Sequence, residues 1–137
     1  MEILYRRVVR ATESAAHSVG DLVLRSAGAV EQTCGGITAN LWDDPFEWTL
    51  PENLSTTRLV IEYLDEVDAT RKRAFDRFLR DSDLLKQVQM PSGETQPLLN
   101  LLLDTLVRAT EYQGRAEATL RLMLDHSIPD GMTIGSI

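Results

Sequence analysis

The amino-acid sequence predicts an all-α fold, and more closely a four-helix bundle with up-and-down helices and one long loop that crosses the bundle. Apolar residues recur at helical spacing in four segments, whereas no segment shows the sustained two-residue alternation of a half-buried strand. Two proline-containing linkers interrupt the pattern, and neither carries a hairpin dipeptide between strand-like runs. The 137 residues suit a single domain over 1–137, with an irregular tail over 127–137.

The first two predicted helices adjoin one another near residue 18. An apolar stripe predicts a helix over 2–16, and this stripe consists of Leu4, Val8, Ala11 and Ala15. Ser18 is a suitable cap for the next helix, predicted from Val19 to about Leu41, and Asp21 favours its positive end. The stripe of this second helix consists of Leu22, Ser26, Val30, Thr33, Ile37 and Leu41. Three glycines weaken it, and we expect them to admit a close neighbouring helix: Gly28, Gly35 and Gly36.

A loop over 42–51 precedes the third predicted helix, because two prolines there exclude helix. Both tryptophans lie in this loop, and we expect them to pin it to the bundle. The third helix begins near Ser55 or Thr56 and ends near Leu79 or Arg80. Its stripe consists of Val60, Leu64, Val67, Arg71, Ala74 and Phe78, and its predicted i,i+4 ion pairs are Asp68–Lys72 and Asp76–Arg80.

The last predicted helix follows a second linker over 81–94, whose turn lies at Met90–Glu94. Thr95 is its expected cap, Pro97 its expected first-turn proline, and Leu124 its approximate end. The first half, Leu98–Val107, is apolar almost all round, which predicts packing on several sides.

Composition narrows the classes of function. The net charge of -7 argues against a nucleic-acid partner, which would require a basic face. The longest strongly apolar run, Leu98–Val107, is far short of the roughly 20 residues that span a bilayer, so we expect no membrane partner. A single cysteine and an N-terminal sequence without a signal peptide's apolar run lead us to expect a cytoplasmic protein.

Three stretches carry a family resemblance through their order and spacing. They are residues 19–32 (VGDLVLRSAGAVEQ), residues 44–52 (DPFEWTLPE) and residues 114–121 (GRAEATLR). Together they resemble the DinB-like superfamily, which includes thiol-dependent maleylpyruvate isomerases and thiol S-transferases. The similarity covers roughly residues 18–125, and it implies a helical bundle and a homodimer.

Members of this superfamily usually bind a divalent metal, often nickel or zinc, with three histidines. One lies on the second helix, and a His-x-x-x-His pair lies on the last helix just before a glycine. The resemblance places the pair at Arg108 and Tyr112, and the helix-two position at Arg25, or at Ser26 if the alignment slips by one. A guanidinium has no lone pair for a metal, and one phenol is insufficient, so we expect neither a metal nor a cofactor.

These replacements leave two interpretations of the former metal site. If Arg25, Arg108, Tyr112 and Arg115 converge, they form a pocket for a small anion, because guanidinium groups match carboxylates and phosphates. The alternative, which the abundance of acidic residues favours, is that the arginines pair with carboxylates such as Glu31, Glu62 and Glu111.

The resulting expectation for function has two branches. The first is a non-metal protein that binds a small molecule or serves as an interaction module. The second is a thiol-dependent transferase or isomerase that no longer needs the metal. No catalytic residue is assigned in either branch, because Cys34 has no predicted histidine neighbour and is expected to be a small buried hydrophobe.

Overall fold

The computed structural model describes residues 18–44 and 54–127, which are mostly helical with one small two-stranded sheet. In chain order the elements are α1 (Val19–Ala39), α2 (Thr57–Phe75), a 3₁₀ helix (Asp81–Leu85), β1 (Gln87–Gln89), β2 (Thr95–Pro97) and α3 (Leu98–Ser127). The helix predicted over 2–16, Trp48 and the tail beyond residue 127 lie outside the described residues. Because α3 continues to Ser127, the helix predicted to end near Leu124 is slightly longer than expected.

The predicted start of α1 is confirmed, since the Ser18 side chain accepts a hydrogen bond from the Asp21 backbone N–H at 3.0 Å. The helix ends two residues earlier than expected, because Asn40 adopts a left-handed conformation (φ 56°) and donates its N–H to α1 carbonyls. Leu41 therefore leaves the predicted stripe and is 61% exposed. A methyl group on Gly36 would lie 2.3 Å from the Trp42 ring, so the close approach there is by Trp42 and not by a helix.

The cap of α2 is confirmed at Thr56, whose hydroxyl accepts from the Leu59 N–H at 3.2 Å. The predicted ion pair from Asp68 to Lys72 is confirmed at 3.0 Å. The helix ends at Phe75, before the expected end near residue 79, and Asp76 is its C-terminal cap. Asp76 and Arg80 both lie beyond the last residue of α2. Four-residue spacing brings two side chains together only within a continuous helix, so the basis for the expected Asp76–Arg80 ion pair is lost.

A β-hairpin occupies part of the predicted linker, which corrects the expectation of a wholly helical chain. Strands β1 and β2 are antiparallel, and Gln89 pairs with Thr95. The turn is closed by a 2.7 Å bond from the Met90 N–H to the Glu94 carbonyl and contains Gly93 at φ 89°. Thr95 is therefore a strand residue and not a helix cap, and Pro97 precedes α3 instead of lying in its first turn. Three-residue strands are too short to show two-residue alternation.

Helix α1 lies between α2 and α3 and contacts both. On one side, the buried core consists of Leu24, Ala27, Val60, Tyr63 and Val67. On the other side, it consists of Val19, Leu22, Ala116 and Met123. Each side of α1 thus has its own apolar cluster.

The directions of the helices differ in part from the predicted antiparallel arrangement. Helix α3 is antiparallel to α1. Ser26 bonds Ala109, whereas Thr33, which follows Ser26 in α1, bonds Thr105, which precedes Ala109 in α3. Helix α2 is parallel to α1, because Arg77, just past the end of α2, donates to the Thr38 carbonyl near the end of α1. The connection 40–56 joins opposite ends of this parallel pair, and its 17 residues can span a helix of that length.

The first half of α3 is less covered than its composition predicts. Leu106 and Val107 are 57% and 62% exposed, and Leu99 and Leu103 are also exposed. The expected packing on several sides is therefore wrong for the described residues, among which α1 is the main neighbour of α3. Over the same residues, no helix has both the length and the apolar character needed to cross a membrane.

Candidate ligand-binding cavity

The structure places Ser26 at the contact between α1 and α3. The Ser26 hydroxyl donates to the Ala109 backbone carbonyl at 2.7 Å, beside Arg108 and one turn from Tyr112. Arg25, the preceding residue, is half-buried and lies about 100° further around α1. Ser26 therefore contacts α3 directly.

Tyr112, Arg115 and Arg108 of the predicted site lie along α3 and differ in their surroundings. Tyr112 is half-buried and packs against the core cluster that contains Val19 and Ala116. Arg115 is exposed, and its guanidinium carbon lies 5.8 Å from the centre of the Tyr112 ring, near the outer limit of a cation–π contact. Arg108 is also exposed, and it lines a cavity whose lining includes neither Tyr112 nor Arg115. Of these three residues, Arg108 alone belongs to the lining of that cavity.

Glu31, one of the carboxylates expected to pair with an arginine, is bonded to a tyrosine. The Tyr63 hydroxyl donates a hydrogen bond to Glu31, and burial, together with this bond, raises the pKa of Tyr63. Ion pairs within the described chain include those of Asp68 with Arg71 and Lys72, and of Asp83 with Lys86. Within that part of the chain, Arg108 and Arg115 have no carboxylate partner.

The residues that the resemblance places at metal positions do not fit a divalent metal. The Ser26 hydroxyl is engaged with a carbonyl, and the Arg108 guanidinium has no lone pair to donate. In the described ranges, no three His, Cys, Asp or Glu side chains are grouped so that they could hold a metal ion. No metal-dependent step is therefore assigned to these residues.

A cavity of about 540 Å³, here called the Arg108 cavity, opens between α1, Trp42, the hairpin and α3. Its lining consists of Gln32, Thr33, Trp42, Met90, Pro91, Gln96, Leu101, Asp104, Val107 and Arg108. The cavity therefore combines apolar walls with two amides, one carboxylate and one guanidinium. Its volume lies within the range of roughly 300–1,000 Å³ typical of small-molecule sites.

Local hydrogen bonds hold the aromatic wall of the Arg108 cavity in place. Gln32 donates its side-chain N–H to the Trp42 carbonyl at 2.8 Å, and the Trp42 indole N–H donates to the Asn40 side chain at 3.0 Å. The absence of a side chain on Gly36 leaves room for the indole ring. Arg108, the cationic residue of the lining, is exposed and forms no hydrogen bond to the rest of the described chain.

A second feature, here called the long groove, lies on the other side of α3 between α2 and α3. Two adjoining cavities of about 440 and 360 Å³ form it, and both are lined by Val30 and Arg71. The floor is α1, and most of the lining is apolar, with Asp68 and Glu117 at the rim. Cys34 is buried at this floor, and burial raises the pKa of its thiol.

The sequence pattern identified Arg108 but not the rest of its cavity. Gln96 and Met90 reach the cavity through a hairpin that the helical pattern did not indicate. Trp42 was placed in a loop, yet nothing in the sequence showed that this loop returns to Gln32. A turn sequence with Pro and Gly at Met90–Glu94 was the one signal that could have indicated the hairpin.

The described residues define a small, mostly helical protein with an open cavity of mixed polarity. Comparison of this chain with known protein families, curated proteins and solved structures gives no match.

Proposed function

We propose that this protein binds a small anionic molecule with an apolar or aromatic part, and that the Arg108 cavity is the site. The observation that carries the proposal is the Arg108 guanidinium, which lines a cavity of about 540 Å³ without an ion-pair partner in the described chain. A guanidinium in a partly enclosed cavity can bind a carboxylate through two parallel hydrogen bonds. Binding without catalysis is the simplest function that these groups support.

The other lining residues specify the ligand further. Trp42, Leu101 and Val107 offer apolar surface to a ring or a short acyl chain. Asp104 lies one helical turn before Arg108 in the same cavity, so it repels a second negative charge on the ligand. The ligand that fits best is therefore a monoanion, and a hydroxyl or amine facing Asp104 would add a hydrogen bond.

Binding can be tested by titration calorimetry with a panel of aromatic and short aliphatic monocarboxylates, beginning with benzoate. Arg108→Ala removes a charged hydrogen-bond partner worth about 1.5–3 kcal/mol, which corresponds to roughly 10- to 150-fold weaker binding. Arg115→Ala is the matched control, because Arg115 is an exposed arginine of the same helix outside the cavity, and it should leave affinity unchanged. Equal effects of both variants, or no binding across the panel, would refute the site.

The charge of Asp104 gives an independent check. Asp104→Asn keeps the size of the side chain and removes the negative charge beside Arg108, so monocarboxylates should bind more tightly. The gain should shrink at high salt, because screening weakens interactions between exposed charges. Weaker binding by this variant would mean that the ligand does not present its charge to this end of the cavity.

Membership of the DinB-like superfamily, with a four-helix bundle completed by the helix predicted over 2–16, remains our proposal for the fold. Its support is the order of the three stretches in the sequence. A second support is that Ser26 lies against α3 beside Arg108, where the resemblance puts the ligand of the second helix. A homodimer in the cytoplasm is proposed on the same resemblance, and light scattering showing a monomer would refute the dimer.

The alternative function is a thiol-dependent transferase or isomerase reaction. It predicts turnover when a low-molecular-weight thiol and an electrophilic or isomerisable substrate are supplied together. Arg108→Ala should then lower the rate with a carboxylate-bearing substrate, whereas Arg115→Ala should not. Thiol-dependent turnover would favour this alternative over simple binding.

A further inference from the structure

Large apolar side chains are exposed where the end of α2, the 3₁₀ helix and the first half of α3 meet. Four of them line the cavity of about 360 Å³ in the long groove, together with Leu84. Leu85 follows Leu84 in the chain, and Leu79 is held beside the 3₁₀ helix because its N–H donates to the Asp83 carboxylate at 2.9 Å. This exposed surface, here called the apolar patch, consists of Phe75, Leu79, Leu85, Leu99, Leu103 and Leu106.

The apolar patch exposes about as much surface as a stable dimer requires. The exposed fraction ranges from 37% at Leu99 to 84% at Leu79. With roughly 180 Å² for a fully exposed residue of this size, the six residues together expose about 600 Å². A standard interface buries about 800 Å² on each partner, and roughly 65% of a homodimer interface is apolar, which amounts to about 500 Å². The patch is therefore large enough to form the apolar centre of such an interface.

We propose that two copies of this chain associate through the apolar patch. The proposal names the interface of the homodimer proposed above, and it rests on the exposed side chains and not on the family resemblance. A closed dimer with two-fold symmetry uses the same surface of both copies, so each patch is buried by its counterpart. Because each copy carries a net charge of -7, the two copies repel one another, and apolar burial must hold them together. Added salt should therefore strengthen the dimer, since it screens this repulsion.

Two leucines of α3 with nearly equal exposure provide a matched pair of variants in the full chain. Leu103, in the patch, is 51% exposed, and Leu122, outside the patch, is 49% exposed. In sedimentation velocity, Leu103→Asp should raise the dissociation constant of the dimer on the order of 100-fold, because it brings a carboxylate of each copy into an apolar interface. Leu122→Asp should leave that constant unchanged. A monomeric wild type, or equal effects of the two substitutions, would overturn the proposal.

A soluble nitroxide tests the same surface in the unsubstituted protein, so the result does not depend on how a variant folds. In the dimer, the NMR methyl signals of Leu103 and Leu106 should broaden less than that of Leu122, although Leu103 and Leu122 are about equally exposed in one chain. Equal broadening, or a dimer that dissociates when salt is added, would overturn the proposal.

Ligand binding separates this interface from the Arg108 cavity, whose lining includes none of the patch residues. Benzoate should therefore bind Leu103→Asp as tightly as it binds the wild type. A wild-type dimer that Leu103→Asp dissociates supports the interface whether or not benzoate binds, so failure of the ligand site is distinguished from failure of the interface.

Discussion

The two buried threonine hydroxyls between α1 and α3 allow a sharp test of how this interface is held together. Thr33 is 2% exposed and Thr105 6% exposed, and their hydroxyl oxygens are 2.6 Å apart. Thr105 also donates to the Leu101 carbonyl at 2.8 Å. Because a hydroxyl has one proton, Thr105 must accept in the shared bond, and Thr33 must donate. The two hydroxyls therefore have different roles.

The difference in roles predicts different costs for removing each hydroxyl. Thr105→Val leaves the buried Thr33 donor without its acceptor and should cost about 1–3 kcal/mol of unfolding free energy. Thr33→Val removes the donor, but Thr105 keeps its bond to the Leu101 carbonyl, so the cost should be about 0.5–1.5 kcal/mol. The double variant places two apolar groups together and should be no less stable than Thr105→Val alone. The two substitutions should therefore be coupled by about 1 kcal/mol.

Urea unfolding of the four proteins, followed by circular dichroism, measures these free energies, and an unchanged denaturant slope shows that the comparison is valid. Additive effects of the two substitutions would refute the shared hydrogen bond. A larger cost for Thr33→Val than for Thr105→Val would reverse the assignment of donor and acceptor. Thr33 lines both the Arg108 cavity and the long groove, so ligand affinity of the same variants shows whether this bond also shapes the site.

Three further predictions concern single residues. Gly36→Ala should displace the Trp42 ring, which a methyl group would approach to 2.3 Å, and should shift Trp42 emission in a Trp48→Phe background; unchanged emission would contradict the close approach. Tyr63 has a raised pKa, so stability should fall as the pH rises above about 10, where the unfolded tyrosine ionises first, and Tyr63→Phe should reduce that fall. The Cys34 thiol is buried with a raised pKa, so it should react slowly with a thiol reagent at neutral pH and rapidly in urea; rapid labelling of the folded protein would contradict this.

Features set by a few neighbouring residues were predictable from the sequence. The caps at Ser18 and Thr56 were identified because a hydroxyl before an apolar-periodic run meets the free N–H groups of the first helical turn. The ion pair between Asp68 and Lys72 follows from four-residue spacing on one helix. These interactions need no knowledge of the rest of the fold.

Features that depend on distant residues were not predictable in the same way. Helical periodicity carries no information about direction, so the parallel alignment of α1 and α2 became visible only through contacts such as Arg77 with Thr38. Because α1 ends at Ala39 and its cap, Asn40, has a left-handed conformation, Leu41 is exposed and does not belong to the core. For the site, the sequence indicated Arg108 as a candidate, but the other walls of its cavity come from Trp42 and the hairpin, whose approach to α3 is a long-range feature.

The contacts between α1 and α3 also determine when the protein can fold during its synthesis. Ser26 and Ala109 are 83 positions apart, and Thr33 and Thr105 are 72 apart. The α1–α2 contacts join positions much closer in the chain, such as Glu31 and Tyr63, which are 32 apart. A ribosome making about 5–20 residues per second releases the partner of Thr33 several seconds after Thr33 itself. During that interval the α3-facing side of α1 is exposed, so α1 and α2 can pair first and α3 completes the core last.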